Sequence, residues 1–263
     1  ETEPERRLKL WENAKYLGFD GYYKYNIGQS INMIFYNKDI FKELGIQVPD
    51  DYTFTAEQWL DISKKADAKG YAGSALAIGN RPYPALFPLY FSLFSRVGTE
   101  EAYKYINGQK SWDTPQAREV LDWFAQLDEV GFWPETFSTM SIDEFHIYFH
   151  TQHKAATLWI PSWYTGRAFK SEAEGGQSPD FHFGMLRYPK FDNGKAHDKV
   201  IGSYESGYMI SSATEHPEVA RDILAFAAQP KYGAAWELIT DIPSAIAYEE
   251  SDVPTNIPES KWS

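Results

Sequence analysis

Apolar residues recur along this chain at helical spacing in some stretches and in short unbroken runs in others. Thr55 followed by Gln58 reads as a capping box, with Trp59, Ile62 and Ala66 on one face and Gly70 as the stop. Thr114 with Pro115 at the first helical position opens a second helix; Val120, Leu121, Phe124 and Leu127 form its stripe and Gly131 ends it. Ser141 and Glu144 make another capping box, before a helix that turns Ile142, Phe145, Tyr148 and Phe149 inward. Pro217 starts a helix carrying Val219, Ile223, Leu224 and Phe226, and one more is predicted from Lys231 to about Thr240. Met33–Tyr36, Ser74–Ile78, Ala155–Ile160, Phe181–Leu186 and Tyr208–Ser211 are short apolar runs that read as buried strands. Asp192-Asn193-Gly194-Lys195 is a turn, Ser171–Pro179 is loop-like, and the tail from Glu249 lacks periodicity. Alternating helices and strands predict an α/β fold.

The chain's 263 residues suffice for one large domain or two modest lobes. Its net charge of −12 argues against nucleic acid and anionic membrane as partners, because both call for a basic footprint. With no cysteine, disulfides, Cys-ligated zinc, iron–sulfur clusters and cysteine nucleophiles are excluded. No apolar run reaches the ~18 residues of a membrane span, and no signal peptide is visible at the polar start, Glu1-Thr2-Glu3-Pro4. Tryptophan, tyrosine and phenylalanine make up 17% of the chain. Trp and Tyr need a partner for N–H or O–H when buried, so a surplus points to rings facing a groove, the way flat apolar faces of sugars are gripped.

No catalytic signature stands out: Gly-x-Ser-x-Gly, His-Glu-x-x-His, the phosphate-binding Gly-x-x-x-x-Gly-Lys and Gly-x-Gly-x-x-Gly are all missing. No cofactor is expected. His146, His150 and His153, with Asp143 one turn earlier, could share a helix face and chelate a metal. Because Phe145, Tyr148 and Phe149 form the expected buried stripe, the histidines are placed on the solvated side and no metal site is predicted. Acidic pairs such as Asp50/Asp51 and Glu249/Glu250 read as solvated.

The run Ile34-Phe35-Tyr36-Asn37-Lys38-Asp39-Ile40-Phe41-Lys42-Glu43-Leu44-Gly45-Ile46 resembles the signature of the extracellular solute-binding proteins of the maltose-binding type, where a buried strand, Tyr-Asn-Lys-Asp and a short helix mark the crossing from first lobe to second. Further segments follow in the family's order. Asp51–Thr55 with Trp59 is similar to its next helix opening, and Thr157-Leu158-Trp159-Ile160-Pro161-Ser162-Trp163 to a strand and loop bearing a ligand-facing Trp. Ser211–Ala228 is similar to its returning segment, and Ile242-Pro243-Ser244-Ala245 to a late turn in which Ala245 replaces the family's Arg. The resemblance implies a type II periplasmic-binding-protein-like α/β fold. Family members carry most of the first lobe before Tyr-Asn-Lys-Asp, whereas here the motif stands at residue 36. One complete lobe and part of the other are therefore expected: 1–33 a remnant of the first lobe and hinge strand, 34–202 the second lobe, 203–263 the hinge return and first-lobe helices.

Gly79-Asn80-Arg81-Pro82-Tyr83-Pro84 is a stiff polar loop after a strand, where ligands lie in open α/β sheets; it reads equally as a rigid surface connection. The resemblance makes Tyr83 a ring stacking on a sugar and Arg81 a polar contact, with Asn80 beside them. Arg81 departs from the family's acidic residue and would also suit a carboxylate. Trp163 is placed in the cleft by the resemblance and in a core by bare composition. Trp159 reads as core. Tyr204 and Glu205, in the Gly-bounded loop Gly202–Gly207, are candidates on the hinge loop, and Tyr36 is a weaker candidate at a strand end. The implied function is the substrate-binding component of an ABC importer: an extracytoplasmic monomer, free or lipid-anchored, that captures a sugar and delivers it to membrane permease subunits. A glycoside hydrolase or lyase using Glu205 or another loop carboxylate is the alternative, and a fragment whose half-cleft binds nothing is the third reading.

Overall fold

A computed structural model describes residues 24–204 and 207–255. The strands are β1 (Tyr25–Asn26), β2 (Gln29–Asn37), β3 (Ala72–Ala75), β4 (Ala155–Pro161), β5 (Phe183–Leu186), β6 (Ile201–Tyr204) and β7 (Gly207–Tyr208). The helices are α1 (Lys38–Glu43), α2 (Ala56–Asp67), α3 (Leu86–Val97), α4 (Thr99–Ile106), α5 (Pro115–Glu129), α6 (Ile142–His150), α7 (Thr165–Ala168), α8 (Pro217–Ala227) and α9 (Pro230–Thr240). The described residues divide into two compact units, one of 24–31 with 202–204 and 207–255, the other of Asn32–Ile201.

The larger unit is a sheet with helices on both faces. Its strand order is β3-β4-β2-β5. β2 runs antiparallel to β4 and to β5, while β3 and β4 are parallel. Alternation along the central strands fills two cores. Ile34 and Trp159 face one, with α2, α3, α4 and α5, in which Trp59, Leu93, Tyr105, Val120 and Leu127 are fully buried. Phe35, Leu158 and Ile160 face the other, against Phe145 and Phe149 of α6. Trp159 bonds through Nε1 to Thr157 Oγ1 at 3.0 Å, which satisfies its one donor inside the core.

Capping fixes several boundaries. Both capping boxes form, at Thr55/Gln58 and Ser141/Glu144, and Thr114 caps α5. Asn37 ends β2 and accepts from the backbone N–H of Asp39 and Ile40, so one residue closes a strand and opens α1. Other elements differ from the pattern. On α5, Trp123 is buried where Leu121 was expected, and Leu121 is 38% exposed. Phe87-Pro88-Leu89 lies in the first turn of α3, where proline costs no internal hydrogen bond. The expected strand at Ser74–Ile78 is shifted to Ala72–Ala75, and that at Tyr208–Ser211 shrinks to two residues.

In the smaller unit β1 pairs antiparallel with β7, and Tyr25, Ile27 and Ile246 form a small core against Ala228 and Trp236. The expected inward stripe of α8 is instead open: Val219, Ile223 and Phe226 are 51%, 61% and 56% exposed. The described part of this unit is too small a layer to cover that face. Glu250–Asp252 forms a 3-10 turn in the tail, where the periodicity suggested no element. Among the described residues no helix is long and apolar enough to cross a membrane.

Candidate functional site

Strand register decides which candidates meet. Asn32 of β2 stands opposite Pro161 of β4, and Tyr36 opposite Thr157. Since β3 is parallel to β4, both strands emerge at the end of the sheet where β2 begins. β3 leads into Gly79–Tyr83 and β4 into the 3-10 turn Ser162–Tyr164, so Arg81, Tyr83 and Trp163 gather at one carboxyl-end edge. Tyr36 does not join them. It lies four residues further along β2, about 13 Å at the usual rise, toward the opposite end of the sheet.

Trp163 is half-buried and packs on the second core. Its ring meets His146 of α6 edge to face, centroids 5.9 Å apart at 78°. The turn beneath it is held by Thr165 Oγ1 donating to Ser162 O at 2.7 Å. Tyr83, also half-buried against the second core, sits edge-on to Phe87 at 5.6 Å. Arg81 is exposed. Two half-buried rings and an exposed guanidinium are groups able to hold a flat apolar face and bond to hydroxyls at its rim.

Backbone contacts fasten the loop that carries Arg81 and Tyr83. Ile78 N–H donates to Phe137 O and Gly79 N–H to Met140 O, both at 2.9 Å. A Cβ on Gly79 would come within 2.8 Å of Met140 O and nearer still to the Thr139 carbonyl, so glycine is required by close approach. Asn80 Oδ1 accepts from the Ile142 N–H at 3.0 Å, an unsatisfied donor of the first turn of α6. Asn80, expected to contact ligand, therefore commits its carbonyl oxygen to holding the loop. One helix thus supports both candidate loops: its start ties down Asn80 and its second turn backs Trp163.

α6 also corrects the histidine expectation. His146 and His150 are buried, 2% and 0% exposed, rather than solvated, while Tyr148 is only half-buried. A neutral imidazole can be buried where its nitrogens find partners. His150 Nε2 lies 3.0 Å from Gly175 O, which can only accept, so Nε2 carries the proton. Nδ1 then accepts from the Tyr164 hydroxyl at 2.8 Å. Burial pushes the His150 pKa down to about 4 and that of His146 well below the ordinary value. His146 Nε2 has no hydrogen-bond partner among the described residues. His153 falls beyond the helix end, at φ 52°, and bonds to Ser178 Oγ at 2.8 Å. Among the described residues no three potential ligands cluster to hold a metal.

Tyr204 closes β6 in the smaller unit, and Glu205 lies outside the described residues. The support of Trp163 by His146 was missed from sequence; the signal available was histidine at i and i+4 flanked by Phe145 and Phe149, an apolar helix face.

The sequence model of the family described as bacterial extracellular solute-binding protein matches residues 3–234. An uncharacterised ABC transporter extracellular-binding protein of Pyrococcus horikoshii is 27% identical over 195 residues, 74% of this chain and 40% of its own length. An arabinooligosaccharide-binding protein of Halalkalibacterium halodurans is 24% identical over 233 residues, 85% of this chain and 46% of its own. The chain thus spans less than half the length of these relatives. Among solved structures, a chitin oligosaccharide binding protein superposes with a TM-score of 0.75 at 20% identity, covering 94% of this chain and 60% of that one, a likeness of fold.

Proposed function

This chain belongs to the bacterial extracellular solute-binding proteins, and from that premise we propose that the protein it forms captures a sugar or oligosaccharide for an ABC importer. The observation that carries the reading is that the loops bearing Tyr83 and Trp163, both half-buried, leave the same carboxyl-end edge of the larger unit's sheet. Tyr83 and Trp163 stack on the sugar's apolar faces and Arg81 bonds to its hydroxyls; Asn80 holds the loop. The larger unit is the second lobe, the smaller one part of the first, and the open stripe on α8 is covered by the remainder of that lobe in the whole protein. The protein is an extracytoplasmic monomer, free or lipid-anchored, and its closed form engages permease subunits.

A glycoside hydrolase needs two carboxylates facing one bond. Of the two on α6, Asp143 pairs with Arg167 at 3.2 Å and Glu144 caps its own helix. The family match supports the binding reading. The test is affinity in the whole protein. Trp163→Ala and Tyr83→Ala should each weaken oligosaccharide binding by at least roughly tenfold, the value of a lost ring contact of about 1.4 kcal/mol or more. Unchanged affinity in both would remove the site.

A further inference from the structure

Strand register places Tyr36, and Lys38 just after it, away from the edge that carries Trp163, and they line a pocket of their own. It has a volume of ≈ 340 Å³ and is built from Tyr36, Lys38, Phe41, Lys42 and the segment Gly45–Val48. That volume is within the range of small-molecule sites, at its lower end.

The walls are fixed by local structure. α1 ends at Glu43, and Gly45 takes a positive φ of 66° that returns the chain so that Ile46 N–H donates to Phe41 O at 2.9 Å. This brings Ile46 and Val48 alongside Phe41. Tyr36 leans on Phe41 with centroids 4.6 Å apart, over Gly184, where no side chain intervenes. The floor is therefore apolar and aromatic, with one phenol at its edge. A phenol is protonated at neutral pH, and burial, with Tyr52 nearby, raises the pKa of this one further, so its hydroxyl can donate a hydrogen bond.

The rim is cationic, in a protein of net charge −12. Lys38 and Lys42 stand at i and i+4, where like charges repel. The carboxylates of the same helix do not relieve them. Asp39 turns to His182 Nδ1 at 3.2 Å, and Glu43 is taken by the Tyr71 hydroxyl at 2.9 Å and by Lys69 at 3.5 Å. Neither Lys38 nor Lys42 forms an ion pair among the described residues, and no carboxylate lines the pocket.

We propose that this pocket is a second binding site, separate from the Tyr83–Trp163 edge, for a small organic carboxylate with an apolar ring or branched body. The body lies on Phe41, Ile46 and Val48, the carboxylate meets the two ammonium groups, and the Tyr36 hydroxyl donates to it.

The probe is phenylacetate, titrated into the isotopically labelled chain and followed by amide and methyl NMR, with 2-phenylethanol and phenethylamine as neutral and cationic analogues. Saturable shifts confined to residues 36–48 are expected for phenylacetate alone. Lys38→Gln with Lys42→Gln should weaken that binding roughly fivefold or more, and about 0.5 M salt should weaken it similarly, as exposed charges are screened. Tyr36→Phe should weaken it less and leave the spectrum otherwise unchanged. Absence of saturable shifts, equal shifts from 2-phenylethanol, or full affinity in the lysine variant would each overturn the proposal.

Discussion

Acid should loosen the larger unit through His150, and the size of the effect follows from its surroundings. The ring sits fully buried, donating to Gly175 O and accepting from Tyr164, and its pKa falls from 6.5 to about 4. In the unfolded chain the imidazole takes up a proton as pH falls through about 6.5; in the folded chain it resists until about 4. The unfolded state therefore binds more protons across that window, so stability is complete above it and is lost as pH falls. At about pH 5 the difference amounts to roughly 2 kcal/mol. His146, lowered well below its ordinary value by burial, acts in the same direction. Urea unfolding at about pH 7.5 and pH 5, followed by the fluorescence of core tryptophans such as Trp59, Trp123 and Trp159, measures the loss. His150→Gln keeps a donor and an acceptor in place but cannot titrate. Its loss between the two pH values should be smaller than the wild type's by about 2 kcal/mol, whatever its starting stability. An equal loss in both proteins would refute the buried neutral imidazole. Because Tyr164 adjoins Trp163, the same acid step should also weaken ligand binding.

Other expectations follow from the support of the two loops. In the whole protein His146→Ala should weaken sugar binding by about 2- to 10-fold, the worth of an aromatic contact, yet add nothing in a Trp163→Ala background. Additive losses would make His146 a general core residue instead. Gly79→Ala forces a Cβ against the Thr139 and Met140 carbonyls and should cost about 1–3 kcal/mol in thermal or urea unfolding. Asn80→Ala leaves the Ile142 N–H without its acceptor and should cost about 1 kcal/mol, with a smaller loss of sugar affinity than Tyr83→Ala; a larger loss would point to direct ligand contact by Asn80.

Local chemistry made much of this fold legible. The starts of α2 and α6 were readable because a hydroxyl and an amide or carboxylate three residues on satisfy each other's backbone donors, an arrangement written in consecutive residues. β2 and β4 were readable as apolar runs because both faces of their sheet are covered. α3 was not, because Pro88, Phe91, Ser92, Leu93, Phe94, Ser95 and Val97 are all buried and leave little polar stripe to set a period. The histidines misled for a related reason: an imidazole counts as polar in a pattern, yet when neutral and bonded it packs as core. That Tyr36 lies away from the Trp163 edge was not legible, because strand register is a long-range property. The residues show a strand end, but only pairing with β4 shows which end of the sheet it occupies. Turn chemistry and family resemblance nominated Tyr83 and Trp163 in the sequence; that their loops leave one edge of the sheet, and that α6 supports both, is visible only in three dimensions.

Isothermal titration of an oligosaccharide panel into the whole protein, with the end mixture analysed for products, tests the central claim most directly. The account predicts saturable binding of at least one sugar at one site per chain, no cleavage of it, and loss of the heat in Trp163→Ala. Turnover of the bound sugar, or binding undiminished by that substitution, would contradict it.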